Sequence, residues 1–399
     1  MSIYGGLRRE NYILFVGCIV TRFGSMVNSM LTMILNQKLN LSATWVSAFL
    51  VGFSVLNMLA GIAGGKLADR FSKKNCIIIC DCISVALYFI CAVSPLNMFT
   101  LGCIALAASM QYMERPMYNA LIADITPFKD REKAYALQYL GINIGLMFAP
   151  TLAGILFKNH LNLLFVICGA AIGSSTILIF FLVKNVAPEK VTNAKELRRD
   201  GESLLKIVWE DKTILCYLLV VAIYSAIYSQ YSYLMPLDLG RMYGDDGAVL
   251  FGTISSTNCI IVVVFSSIML KTMTRIKPYW KMFLAQVFIL SGFSVYLIFI
   301  TKIPAYYVAI SLFTFGEISS MLGTGAFFMA HTPESHRGRI NAFREVLSQL
   351  ADSLMILLSG YLYDNHGFMS SWTMVLIVAV LLICATAMLN LFVIKKRKY

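Results

Sequence analysis

The sequence predicts an all-α integral membrane protein with twelve transmembrane helices in two pseudo-symmetric six-helix bundles. Three observations predict it. Hydrophobic residues make up 58% of the 399 residues and charged residues 14%, and the apolar residues gather into twelve long blocks. Lys and Arg fall on alternate connections between those blocks. Two segments 206 residues apart share one pattern. An average soluble domain carries about 25% charged residues, so ordinary soluble, disordered and fibrous classes are excluded.

A bilayer core takes about 20 mostly apolar residues per helix. The first six blocks are Tyr12–Leu35, Trp45–Gly64, Cys76–Pro95, Met98–Ile125, Ala134–Phe157 and Leu161–Val183. The second six are Ile214–Met235, Ala248–Leu270, Trp280–Ile300, Ala305–Ala330, Ile340–Leu362 and Trp372–Ile394. The alternation expected of membrane barrel strands is absent. Arg8 and Arg9 precede a first block too long for a signal peptide, so the first span is expected to be retained.

The termini and even-numbered connections hold 26 of the 33 Lys and Arg residues, and the opposite side holds Lys38, Lys158, Arg241 and Lys302. This asymmetry places both termini in the cytoplasm. Most of the net charge of +12 is then a topology signal, and no nucleic-acid partner is expected. The longest connection, from Lys184 to about Lys212, divides the chain into an N-terminal bundle at 1–184, a cytoplasmic linker at 185–212 and a C-terminal bundle at 213–399. Within it, Ala194–Val208 fits either a short amphipathic surface helix or a solvated linker.

TPFKDREKAYALQYLGINIGLMFAPTLAGILF from Thr126 and TPESHRGRINAFREVLSQLADSLMILLSGYLY from Thr332 share a Thr-Pro, a charged turn and then a span. Identities include Arg131/Arg337, Ala136/Ala342 and Gly154/Gly360. Six spans per half keep both copies in one orientation, and transporters built on such repeats place the substrate site between the halves.

Between the second and third blocks stands Gly65-Lys66-Leu67-Ala68-Asp69-Arg70-Phe71-Ser72-Lys73-Lys74. It resembles the loop signature of the major facilitator superfamily, G-x-L-a-D-R-x-G-R-K, with Ser72 in place of the second glycine. The resemblance implies a cytoplasmic gate of Gly65, Asp69, Arg70, Lys73 and Lys74, with Gly65 allowing tight packing and Asp124 a candidate partner for Arg70. Gly141, Gly145, Pro150 and Gly154 in the fifth block resemble the glycine-and-proline motif of the superfamily's antiporters. Small residues there let helices approach closely, and Pro150 favours a bend. The whole pattern looks most like the bacterial drug/proton antiporters. Their arginine-led fourth-span motif, R-x-x-x-G, is not recognisable, since Arg115 lies deeper and is followed by Pro116.

Ionisable residues inside spans are expensive and mark function by default. The candidates here are Arg22, Asp81, Glu114, Arg115, Glu317 and Asp352. Asp81 lies near the cytoplasmic edge, where loop lysines are candidate partners. Glu317 follows Gly316 in a small-residue-rich tenth block, and related drug antiporters often carry an acid near this Gly-Glu. Burial disfavours the charged form of a carboxyl group, so a carboxyl in a cavity that opens to each side in turn can carry a proton across. An ion pair of Glu317 with Arg22 or Arg115 is the alternative. Asp352 is a second candidate carrier. Tyr224, Tyr228 and Tyr231 share one helical face, suited to a cavity for amphiphilic molecules or to helix packing at the membrane surface.

The ten Cys residues read as small buried hydrophobes, and no disulfide framework is implied. The four His residues lie in loops or at span ends without ligand spacing, so no metal site and no cofactor are expected. No catalytic constellation or phosphate loop is present, so the chain is not expected to be an enzyme. The expectation is a secondary active transporter working by alternating access. Its partners would be protons, an amphiphilic small molecule and membrane lipids; it would be a monomer in the bacterial cytoplasmic (inner) membrane. A lipid flippase or a narrow-specificity exporter of a metabolite or siderophore is the other reading. A green fluorescent protein fused after Tyr399 is expected to fluoresce and alkaline phosphatase fused there to stay inactive; the reverse pattern would refute the predicted topology.

Overall fold

The computed structural model describes residues 5–127, 130–183, 212–332 and 337–396. The linker at 185–212, and with it Ala194–Val208, falls outside the described residues except for Lys212. The described residues form helices and no strands. In chain order they are α1 Arg9–Phe23, α2 Val27–Met33, α3 Ala43–Arg70, α4 Lys73–Val93, α5 Met98–Ile125, α6 Arg131–Phe157, α7 Leu161–Leu182, α8 Lys212–Tyr243, α9 Asp246–Thr272, α10 Pro278–Ile298, α11 Ile303–His331, α12 Arg337–His366 and α13 Phe368–Lys396.

The helices α1 and α2 belong to one span, which continues through a π-helical turn at Ile34–Lys38. The sequence reading treats this block as unbroken. It breaks at Gly24–Met26, where the Ser25 hydroxyl lies 3.1 Å from both the Thr21 carbonyl and Gln111 Oε1. A side chain inserted into the helix ladder in this way is a recognised cause of a helix break. Counting that span once gives twelve, and the chain is a multi-pass membrane protein. Eleven of the twelve are long and apolar enough to cross a membrane. The other is α5, whose 28 residues include Gln111, Glu114, Arg115 and Asp124. The seventh span also runs further than its apolar block, adding Asp238 and Arg241 before it ends at Tyr243. The helices α6 and α8 pass through Pro150 and Pro236 without ending.

The internal repeat is visible in the backbone. Helices α5 and α11 end 206 residues apart, and α6 and α12 begin 206 residues apart. Thr126 terminates α5 with φ −112 and ψ 126, and Thr332 terminates α11 with φ −112 and ψ 130.

The chain divides into two compact units. The first comprises Met1–Ser42, Ala48–Lys190 and Pro236–Val263, and the second Ala43–Ser47, Val191–Met235 and Val264–Tyr399. In the first, α4 packs on α5 and α7, and α1 packs on α6 and α7. Buried polar groups tie these helices: Thr21 donates to Ser175 at 2.8 Å, and Ser109 to Asn57 at 3.1 Å. In the second, α10 packs on α11 and α13, and α12 packs on α13. There Gln286 donates to Thr386 at 3.0 Å, and Ser359 to Gln230 at 2.8 Å. Such interhelical bonds replace the hydrophobic drive that lipid does not supply.

Each unit takes in a piece of the opposite half of the sequence, so its outline departs from a cut at the linker. Gly154 of α6 lies against the backbone of Ala248 and Val249 in α9, within the first unit. Its repeat mate Gly360 of α12 lies against Ala43, Ser47 and Tyr233, within the second. A Cβ at Gly360 would stand 2.6 Å from Ser47 Oγ and 2.9 Å from the Ala43 carbonyl oxygen. Tyr233 donates to that same carbonyl at 2.6 Å. Gly154→Leu and Gly360→Leu are expected to lose about 1–3 kcal/mol through overpacking. The thermal-unfolding midpoint in detergent should therefore fall, whereas Gly102→Leu, where no atom lies within 4 Å of an added Cβ, should leave it unchanged.

Candidate functional site

The motif at Gly65–Lys74 is built at the junction of α3 and α4. Ser72 accepts from the Asn75 backbone N–H and caps α4, which accounts locally for a serine at a position where the motif usually has glycine. Lys74 donates to the Phe180 carbonyl at 2.7 Å. The sequence reading gives Asp124 to Arg70; instead Asp124 pairs with Lys73 at 2.9 Å, both side chains about four-fifths buried. Lys73 opens α4, whereas Asp69 and Arg70 sit at the exposed end of α3. The sequence reading also gives tight packing to Gly65. That contact belongs to Gly64, which meets the Met113 backbone of α5, while Gly65 has nothing within 4 Å of an added Cβ. Gly141 and Gly145 do approach α1, against Phe15 and Ile19 respectively.

The second unit holds a cavity of about 410 Å³ between α8, α11 and α12. Tyr224 and Tyr228 supply an aromatic wall, and Glu317, Ser320 and Thr324 face it from α11. Arg344 and Glu345, joined by a 2.8 Å ion pair, close the α12 side. The Tyr228 hydroxyl hydrogen-bonds the Glu317 carboxylate. Tyr231 is not in the cavity lining: its ring packs on Phe313 at 4.8 Å, as does the ring of Tyr228. Asp352 stands behind the cavity, accepting from Ser225, which itself lines it.

The first unit holds a cavity of about 310 Å³, lined by Arg22 of α1, Glu114, Arg115 and Tyr118 of α5, and Gln138 of α6. The Arg115 guanidinium lies 3.8 Å from the centre of the Tyr112 ring. Asp81 has no solvent exposure and accepts from Thr176 at 2.9 Å. Loop lysines are therefore not its partners: Lys73 takes Asp124, Lys74 takes a carbonyl, and Asp81 faces the Glu114 carboxyl group.

The expected cavity residues thus fall into two groups, Arg22, Glu114 and Arg115 in one unit and Glu317, Asp352, Tyr224 and Tyr228 in the other. Arg344, Glu345, Ser320 and Thr324 were missed. Helical spacing carried a usable signal, since Glu317, Ser320 and Thr324 stand at i, i+3 and i+7 and Arg344, Ser348 and Asp352 at i, i+4 and i+8. All ten Cys residues are free thiols. Among the described residues, no three His, Cys, Asp or Glu side chains converge as a metal site would require.

A profile of the Major Facilitator Superfamily matches residues 13–355. The chain belongs to the major facilitator superfamily. It is a transporter, and not an enzyme. It is 25% identical over 313 residues to a Na(+), Li(+), K(+)/H(+) antiporter of Planococcus maritimus, covering 71% of this chain and 73% of that one. It is 26% identical over 179 residues to the quinolone resistance protein NorA of Staphylococcus aureus, covering 44% of each. A peptide-bound transporter of the POT family has the same fold, with a TM-score of 0.78, 13% identity and coverage of 97% of this chain and 96% of that one.

The Lys73–Asp124 pair gives a direct test of the gate assignment. Asp124→Lys is expected to lower the thermal-unfolding midpoint, and Lys73→Asp in the same chain to restore it. Arg70→Asp should give no such rescue.

Proposed function

We propose that this transporter exports amphiphilic organic cations in exchange for protons, with Glu317 binding cation and proton in turn. The observation that carries the reading is the cavity where the Glu317 carboxylate lies beside Tyr224 and Tyr228. A carboxylate attracts positive charge, and aromatic faces add cation–π attraction and flat apolar area. The serine and threonine hydroxyls in the lining accommodate either occupant. Binding one excludes the other, which is the condition for exchange. Similarity to NorA supports the reading, as does the antiporter-like fifth span. We place both termini in the cytoplasm on the loop charges, and the protein in the bacterial cytoplasmic membrane on its similarity to bacterial transporters.

One observation favours a second cargo. A relative that covers 71% of the chain is a Na(+), Li(+), K(+)/H(+) antiporter, and Glu317 with its hydroxyl neighbours offers oxygen ligands of the kind hard cations take.

Ethidium efflux from cells expressing the protein should stop when a protonophore collapses the gradient. A hydrogen bond or ion pair to a charged group contributes about 1.5–3 kcal/mol, so Glu317→Gln should weaken ethidium binding about tenfold or more and abolish gradient-driven efflux. Efflux that persists in Glu317→Gln contradicts the role given to this residue. Absent ethidium efflux together with sodium-dependent proton movement favours the second cargo.

A further inference from the structure

The Glu317 reading leaves a second pair of acids unused. Asp81 on α4 and Glu114 on α5 are 0% and 3% exposed, and their carboxyl groups lie within hydrogen-bond reach of each other. Two carboxylates are acceptors only, so a hydrogen bond between them needs a proton. Thr176 supplies one donor, to Asp81 Oδ2. Asp81 Oδ1 and Glu114 Oε2 are buried without any donor from the protein. Two carboxylates this close repel, which favours holding one proton between them over full ionisation.

An independent observation comes from the cavity itself. Glu114 lines the 310 Å³ space of the first unit and Asp81 does not. Gln138, 8% exposed, lines the same space and its Nε2 also has no acceptor. Buried polar groups normally have partners, and two residues of this cavity wall each keep one unpartnered polar atom. Several groups surround the pair. Arg22 and Cys18 face the site from α1, Cys80 from α4, Arg115 and Tyr118 from α5, and Ser175 and Thr176 from α7. The two guanidinium groups stand near Glu114, on the cavity side.

We propose that Asp81 and Glu114 form a proton-binding pair that shares one proton between its carboxyl groups and exchanges it with the cavity through Glu114. No covalent step beyond transfer of the proton is involved. The bound form is a carboxyl–carboxylate hydrogen bond; release passes that proton to the cavity and leaves both carboxylates ionised, with the Arg22 and Arg115 guanidinium groups near Glu114 offsetting the added charge. Asp81 is the inner partner and Glu114 the one in contact with the cavity. The pair lies in a different unit from Glu317, so it stands or falls separately from the function proposed above.

The test is infrared absorption of protonated carboxyl groups in the full chain reconstituted in lipid nanodiscs, across a pH series. A protonated-carboxyl band that outlasts the ionisation of surface acids is expected in the wild type. It should vanish in both Asp81→Asn and Glu114→Gln and persist in Glu317→Gln. If Asp81→Asn does not fold, Glu114→Gln decides, with Glu114→Asp retaining the band as the conservative control. A band that survives both Asp81→Asn and Glu114→Gln overturns the proposal. So does a band removed at constant pH by sodium chloride but not by choline chloride, which would assign the pair to a metal cation.

Discussion

No water is available in the hydrocarbon core to satisfy a carboxyl group, and several acids of the described residues meet a side chain instead. Asp81 takes the Thr176 hydroxyl, Glu317 takes Tyr228, Asp352 takes Ser225, and Asp124 takes Lys73. The same constraint makes every span helical, because only then are backbone groups paired within the segment. It also pulls ionisable residues onto inward helix faces. The two cavities follow from it, since each is edged by charges that lipid cannot accept.

Close backbone approach is the second organising feature. Gly154 and Gly360 hold equivalent places in the repeat, and each sits where another helix would strike a Cβ. The two copies have kept this contact while their cavities have diverged. One is edged by Arg22, Glu114 and Arg115, the other by Glu317 and a tyrosine pair. A repeat thus supplies the frame, and local polar residues give each copy its chemistry.

Much of the fold is legible in the sequence because hydrophobic length and loop charge are local properties. Twelve apolar blocks mark the twelve spans, and the 206-residue offset returns as matching helix ends. The break after α1 is not local: it depends on Ser25 meeting Gln111, 86 residues away. Pairing of charges is likewise a matter of three-dimensional placement. Arg70 and Lys73 are three residues apart, and only the start of α4 decides which of them reaches Asp124. Tyr224 and Tyr228 share a wall as helical spacing suggests and meet Glu317 from another helix, whereas Tyr231 turns to Phe313. Arg344 and Glu345 fall inside the eleventh block, yet nothing in their local sequence says that they face the cavity. Asp81 gives no sign in sequence that its partner is another acid.

Exchange of a cationic amphiphile for protons is the central claim, and direct measurement of both fluxes in one vesicle tests it best. The protein would be reconstituted in liposomes holding a membrane-impermeant pH dye, and ethidium added outside. Ethidium entry should raise the luminal pH as protons leave, and both signals should be lost in Glu317→Gln vesicles. Ethidium uptake with no change in luminal pH would contradict proton exchange.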